Sequence, residues 1–193
     1  MQIRTSMLRT SLIALAAVVG VLAACKPSLD WRETKSADGK FAAVFPGKPA
    51  VSTREIAFGT GRITMTMTSA GKGPTLFGVG VAKLPPDAVA SAEAVEATVA
   101  RFRDALLVNS GTMLFSADGA LPLSADAKAS ARGAVSLRAR RHPAADAKQG
   151  GIAQLAAQFF VVDDRLYQVA ALGDADLAAA DLETFFASFK LIP

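Results

Sequence analysis

The sequence predicts an α+β domain in which a largely antiparallel sheet is covered by two main helices. Segments of alternating apolar and polar residues follow one another through short turns, the habit of hairpin-linked strands. Only two segments, Ser91–Asn109 and Asp174–Lys190, carry apolar residues at helical spacing. The strand segments come in runs with the helices set apart, an order that builds α+β folds and not the strand–helix alternation of parallel sheets.

In chain order, Trp31–Thr34 and Lys40–Phe45 flank Ser36-Ala37-Asp38-Gly39, and Asp-Gly is a hairpin signal. Phe41, Ala43 and Phe45 alternate onto one face, and Pro46-Gly47-Lys48-Pro49 stops the strand. Val51–Phe58 and Arg62–Ser69 form a second hairpin about Gly59-Thr60-Gly61, with Ile63, Met65 and Met67 alternating against Thr64, Thr66 and Thr68. Leu76–Leu84 puts Phe77, Val79 and Val81 on one side and Gly78 and Gly80 on the other, where a helix or neighbouring segment is expected to approach closely. Ser91–Asn109 follows Pro85-Pro86, carries a core stripe of Val95, Val99, Phe102 and Leu106, and stops at Asn109-Ser110-Gly111. Thr112–Ser116, a turn at Asp118-Gly119, then Ala131–Arg141, Ile152–Val162 and Arg165–Leu172 supply further strands, the last two meeting at Asp163-Asp164. Asp174–Lys190 turns Ala178, Leu182, Phe185, Phe186 and Phe189 to one face, with Asp174 and Asp176 placed to complement the helix dipole.

Four short segments resemble a known family. They are Trp31 with Ser36-Ala37-Asp38-Gly39-Lys40-Phe41, then Phe45-Pro46-Gly47-Lys48-Pro49, Arg165-Leu166-Tyr167-Gln168-Val169, and Phe185-Phe186-Ala187-Ser188-Phe189-Lys190. Together they are similar to the small bacterial domains of the PsbP-like type, found in lipoproteins and photosystem accessory proteins. The resemblance spans about 31–190 and implies an α/β/α sandwich. Turns and a core helix carry it, so it implies a fold and not a chemistry.

The N-terminus carries a second resemblance. Arg4 and Arg9 precede an apolar run from Leu12 to Ala24, too short for a membrane span of about 20 residues but suited to a signal-peptide h-region. The run ends in Leu22-Ala23-Ala24-Cys25, which resembles the lipobox of bacterial lipoproteins. That resemblance implies removal of residues 1–24, cleavage between Ala24 and Cys25, and a diacylglycerol thioether on Cys25. Residues 25–30 then form a lipidated tether to a single domain, 31–193. Each buried methylene contributes about 0.8 kcal/mol, so two or three acyl chains hold where one does not. The alternatives are an ordinary secretory signal with a chance cysteine, or an uncleaved anchor. Lys26, where an Asp would imply inner-membrane retention, points to the outer membrane in the Gram-negative sorting scheme.

Composition narrows the function. One Cys and one His exclude an intrachain disulfide, a cysteine-rich zinc module and a multi-histidine metal site. Losing Arg4 and Arg9 with the signal lowers the formal charge from +4 to about +2, a weak footing for nucleic-acid binding. No cofactor is expected.

Each candidate residue has an ordinary reading beside its functional one. His142, in Arg140-Arg141-His142-Pro143 with Asp146 nearby, is a candidate general base or a solvated loop residue. Strand parity puts Arg132, Arg138 and Arg140 on one face opposite Val135, Leu137 and Ala139. They are candidate contacts for an acidic partner or anionic headgroups, or the wet face of a strand, with Arg141 at its end. Asp163-Asp164 reads as turn chemistry and not calcium binding. Gly71-Lys72-Gly73 lacks the residues of a phosphate loop. Met65 and Met67 read as core filling ahead of soft-metal ligands.

The leading expectation is therefore a non-catalytic binding or accessory module. It is held at the membrane through N-terminal acyl chains, faces the periplasm and meets an envelope protein partner. The alternative is a carrier of lipid or another hydrophobic ligand, using a pocket under Gly78 and Gly80. A hydrolase using His142 ranks last.

Overall fold

The computed structural model describes residues 30–110, 115–117, 121, 125–141, 154–173 and 176–193. Trp31–Pro193 forms one compact unit. Its first hairpin pairs β1 (Trp31–Ser36) with β2 (Phe41–Pro46), Ser36 opposite Phe41. The left-handed residue of the turn is Lys40, at φ 51, and not Gly39. Gly39 is needed for room: a Cβ there would lie 2.7 Å from Ser36 Oγ and 2.9 Å from the Phe41 ring.

The larger sheet holds seven strands in the order β3-β4-β5-β9-β8-β7-β6. These are β3 (Ala50–Phe58), β4 (Gly61–Lys72), β5 (Thr75–Lys83), β6 (Phe115–Ala117), β7 (Arg132–Arg141), β8 (Gln154–Val162) and β9 (Arg165–Gly173). Every neighbouring pair is antiparallel, as hairpin connectivity requires. In the β8–β9 turn Asp163 holds φ 52, a conformation Asp tolerates. Its backbone is in use: Asp164 O accepts from Leu84 N at 2.7 Å, and Asp163 O accepts from Arg132 Nη2 at 2.8 Å.

Each face of this sheet is covered. On one, Phe77, Val79, Phe160, Tyr167 and Val169 pack against β2 and against the last helix, α3 (Ala179–Ser188). On the other, Leu155, Ala157, Phe159, Val161 and Leu166 pack against α1 (Ala92–Asn109) through Val95, Val99 and Phe102. Ser91 caps α1 by accepting from Ala94 N at 3.1 Å. Glu93 accepts from its own backbone N–H and from the Ser91 hydroxyl, which holds its carboxyl below the usual range. The chain is thus α+β, with mostly antiparallel sheets and a third helix, α2 (Ala125–Ser130), too short for periodicity to reveal.

Four expectations are corrected. The last helix runs over Ala179–Ser188 and not Asp174–Lys190. At its start Gln154 captures the chain, its Nε2 donating to the Asp176 carboxylate and its Oε1 accepting from Leu177 N at 3.0 Å. Asp176 therefore binds a side chain instead of capping the helix, and Ala178 is the N-cap; Asp174 lies outside the described residues. At its end the Ser188 hydroxyl donates to Phe185 O at 2.7 Å and accepts from Val44 N at 3.0 Å. Phe189 turns extended, and β10 (Lys190–Leu191) pairs with β2, completing a three-stranded sheet.

The glycine that lets a helix approach is Gly133, not Gly78 or Gly80. A Cβ on Gly133 would lie 2.8 Å from Val95 Cγ1 of α1. The space over Gly80 is taken by the ends of Met65 and Met67, with Met67 Sδ 2.6 Å from an added Cβ. The methionines fill a gap that the glycines leave, as their core-filling reading held.

Gly133 also overturns the shared face of Arg132, Arg138 and Arg140. At φ +59 it stands in a β-bulge, where pairing shifts between Arg132 opposite Val161 and Val135 opposite Phe159. One extra residue flips the side-chain parity. Arg132 thereby joins the α1 side, while Arg138, opposite Ala156, stays on the other.

Candidate functional site

The described surface contains a cleft of about 420 Å³ where the tip of the β3–β4 hairpin meets the first half of α1. Its shape follows from local chemistry. Phe58 pairs with Gly61 across a two-residue turn in which Gly59 adopts φ +58, the left-handed first position of a tight hairpin. Alternation then turns Phe58 and Ile63 to the α1 side of the sheet, where the Phe58 ring lies 6.1 Å from that of Phe102.

Pro85 and Pro86 end the strand and start a 3₁₀ turn, Pro86–Val89, closed by Ala88 N donating to Pro85 O at 3.0 Å. The buried Thr98 hydroxyl donates to Ala88 O at 3.4 Å and fixes this turn to α1. The helix contributes Ala94, Ala97, Thr98 and Arg101, spaced three, one and three residues apart, which places them on one flank beside the core stripe. Two alanines there leave open the volume that longer side chains would fill.

The lining carries three charged residues. Arg62 Nε donates to Glu55 Oε2 at 3.0 Å, so its charge is balanced on the hairpin itself. Arg101 places its guanidinium 5.8 Å from the Phe58 ring centroid, a cation–π contact. Arg101 and Asp87 both line the cleft, and neither forms an ion pair with any described residue. The cleft therefore presents an apolar bed of Phe58, Ile63, Pro85 and Ala88, one cation and one anion.

The residues singled out in the sequence lie elsewhere. Arg132 is a clamp: its guanidinium donates to Val89 O at 3.3 Å and to Asp163 O at 2.8 Å, binding β7 to two loops. Arg138 stands on the opposite face, its Nε buried without a hydrogen-bond partner. The Arg140 and Arg141 side chains, His142, Asp146, Ala24 and Cys25 fall outside what is described. Gly71 and Lys72 end β4, and Gly73, at φ +54, opens the turn to β5. Asp164 pairs with Lys83 at 3.5 Å and with Arg165 at 3.1 Å, as turn chemistry would have it. Among the described residues no three His, Cys, Asp or Glu side chains group to hold a metal ion, and no helix is long and apolar enough to cross a membrane.

Sequence reasoning missed Phe58, Asp87 and Arg101. The available signals were the alanines flanking the α1 core stripe and an acidic residue directly after Pro85-Pro86.

No family model matches the sequence, and no curated protein or solved structure matches the chain.

Proposed function

We propose that the chain is a lipid-anchored protein of the bacterial cell envelope whose domain, a PsbP-like α/β/α sandwich, serves as a non-catalytic binding module. Leu22-Ala23-Ala24-Cys25 supports the anchor, and Lys26 favours the outer membrane. The sandwich draws support from the convergence of the four family-like segments. Tyr167 donates to Gly39 O at 3.0 Å, and Phe189 stacks on Phe41 at 5.9 Å and packs edge-on to Tyr167 at 5.8 Å.

The single observation that carries the binding role is the open cleft, with its apolar bed and two uncompensated charges. Its position fits a periplasmic ligand. Trp31, where the tether joins the domain, packs on Phe77 at 5.5 Å, and Phe77 pairs with Ala70 of β4. Ile63, on the cleft, lies seven residues back along that strand, about 23 Å at roughly 3.3 Å per residue. The cleft thus lies at the end of the sheet away from Trp31. The lipid-carrier reading has less support, because Met65 and Met67 occupy the glycine side where its pocket was expected.

Two measurements test the proposal. Labelled palmitate enters the wild-type chain and not Cys25→Ser, which accumulates as precursor; label in that variant removes the anchor. A photo-crosslinking side chain at Ala97, on the cleft wall, captures an envelope component that the same group at Glu183, exposed on α3, does not. Equal capture from both positions removes the cleft as the binding surface.

A further inference from the structure

We propose that the cleft binds a zwitterion: a free apolar amino acid or a short peptide, with its carboxylate at Arg101, its ammonium at Asp87 and its side chain on Phe58 and Ile63. The proposal deepens the binding-module reading and rests on it.

Three observations select this chemistry. First, of the three charged residues lining the cleft, Arg101 and Asp87 are opposite in sign and form no ion pair with each other or with any other described residue. A ligand carrying both charges satisfies both groups, whereas a fatty acid leaves Asp87 without a cation and a polyamine leaves Arg101 without an anion. The neighbouring Arg62 is already matched by Glu55 at 3.0 Å, so the cleft offers one site of each sign and not a general basic patch.

Second, size sets a limit. A cleft of about 420 Å³ holds the liquid volume of roughly 14 waters, the scale of a large amino acid or a dipeptide. Third, the Arg101 guanidinium lies 5.8 Å from the Phe58 ring centroid, which draws the cation onto the apolar bed beside the space a ligand side chain would fill. A planar guanidinium meets a carboxylate through two parallel hydrogen bonds.

The two sources share this chemistry and differ in the spacing of the charges. In a free amino acid they sit on one carbon; in a dipeptide a peptide unit separates them. Titration calorimetry on the detergent-solubilised full chain therefore uses phenylalanine and alanyl-phenylalanine as separate probes, with N-acetyl and C-amide forms of each and decanoate beside them. At least one unmodified probe is expected to bind, and blocking either end weakens it by about ten- to a hundredfold, the range of one charge-assisted hydrogen bond. Arg101→Gln removes the penalty for amidation while keeping that for acetylation, and Asp87→Asn does the reverse. This crossed pattern is one a merely destabilised variant does not give.

Equal affinity for blocked and unblocked probes overturns the proposal, as does binding of decanoate alone or no binding of either zwitterion. If the zwitterions fail while Ala97 still captures an envelope component, the ligand class falls and the binding module stands. If both fail, the cleft has no binding role. Since the titration needs no acylation, its outcome is independent of the anchor.

Discussion

The two faces of the seven-stranded sheet are built from different materials. One is aromatic: Phe41, Phe45, Phe77, Phe160, Tyr167, Phe185, Phe186 and Phe189 pack with ring centroids 5.2–5.9 Å apart. The other is mainly aliphatic, held by α1 and finished by two methionine ends over two glycines. Rings that meet edge to face admit few arrangements, and two long-range hydrogen bonds, Tyr167 to Gly39 and Val44 to Ser188, fix the small sheet and α3 in place. On the α1 face the helix covers β7 and β8, while the β3–β4 hairpin meets it only at its tip. One face is committed to stability, and the other keeps an open cleft with charges to spare.

That contrast predicts unequal responses to truncation. Phe185→Ala, at a fully buried ring, is expected to cost about 3–5 kcal/mol in urea unfolding. Phe58→Ala, at the half-buried ring of the cleft, costs about 1 kcal/mol, mostly a lost ring contact. Similar costs at the two sites would remove the asymmetry.

A finer comparison uses two glycines of nearly equal φ, Gly133 at +59° and Gly59 at +58°. Both alanine variants carry the same backbone strain of about 1 kcal/mol. Gly133→Ala also drives a Cβ against the stiff, β-branched Val95, whereas nothing lies within 4 Å at Gly59. A total of about 2–3 kcal/mol for Gly133→Ala against about 1 for Gly59→Ala isolates the contact between bulge and helix. Equal losses mean that α1 yields there.

Tyr167→Phe leaves the carbonyl of Gly39 without its donor and is expected to cost about 1–2 kcal/mol. Burial raises the Tyr167 phenol above its ordinary value of about 10, and Asp163 and Asp164 add to this against Arg165. The unfolded chain therefore releases this proton first as pH climbs, so stability falls above about pH 10 and is independent of this group below it. Tyr167 is the one tyrosine of the chain, so alkaline absorbance titration reads it directly. An ordinary midpoint would mean that the small sheet opens and exposes the ring.

Much of the architecture was legible because it is local. Alternation placed β4 and β5, and the α1 stripe placed that helix over Ser91–Asn109, one residue before its observed start at Ala92, where Ser91 is the cap. What was illegible depends on partners far along the chain. Gln154 holds back the start of α3, Val44 meets Ser188 at its end, and Gly133 shifts the register of β7. The arginine stripe failed for that last reason, since parity counted across a bulge changes sign. The cleft was hidden in the same way: Phe58, Asp87 and Arg101 meet only because the hairpin tip, the proline turn and α1 converge.

The most direct test of this division is a map of amide shift changes in the isotope-labelled full chain on adding alanyl-phenylalanine. The account predicts saturable changes confined to residues 58–63, 85–88 and 94–101, with β1, β2 and α3 unmoved. Changes centred on β1, β2 or α3, or none at saturating ligand, would contradict it.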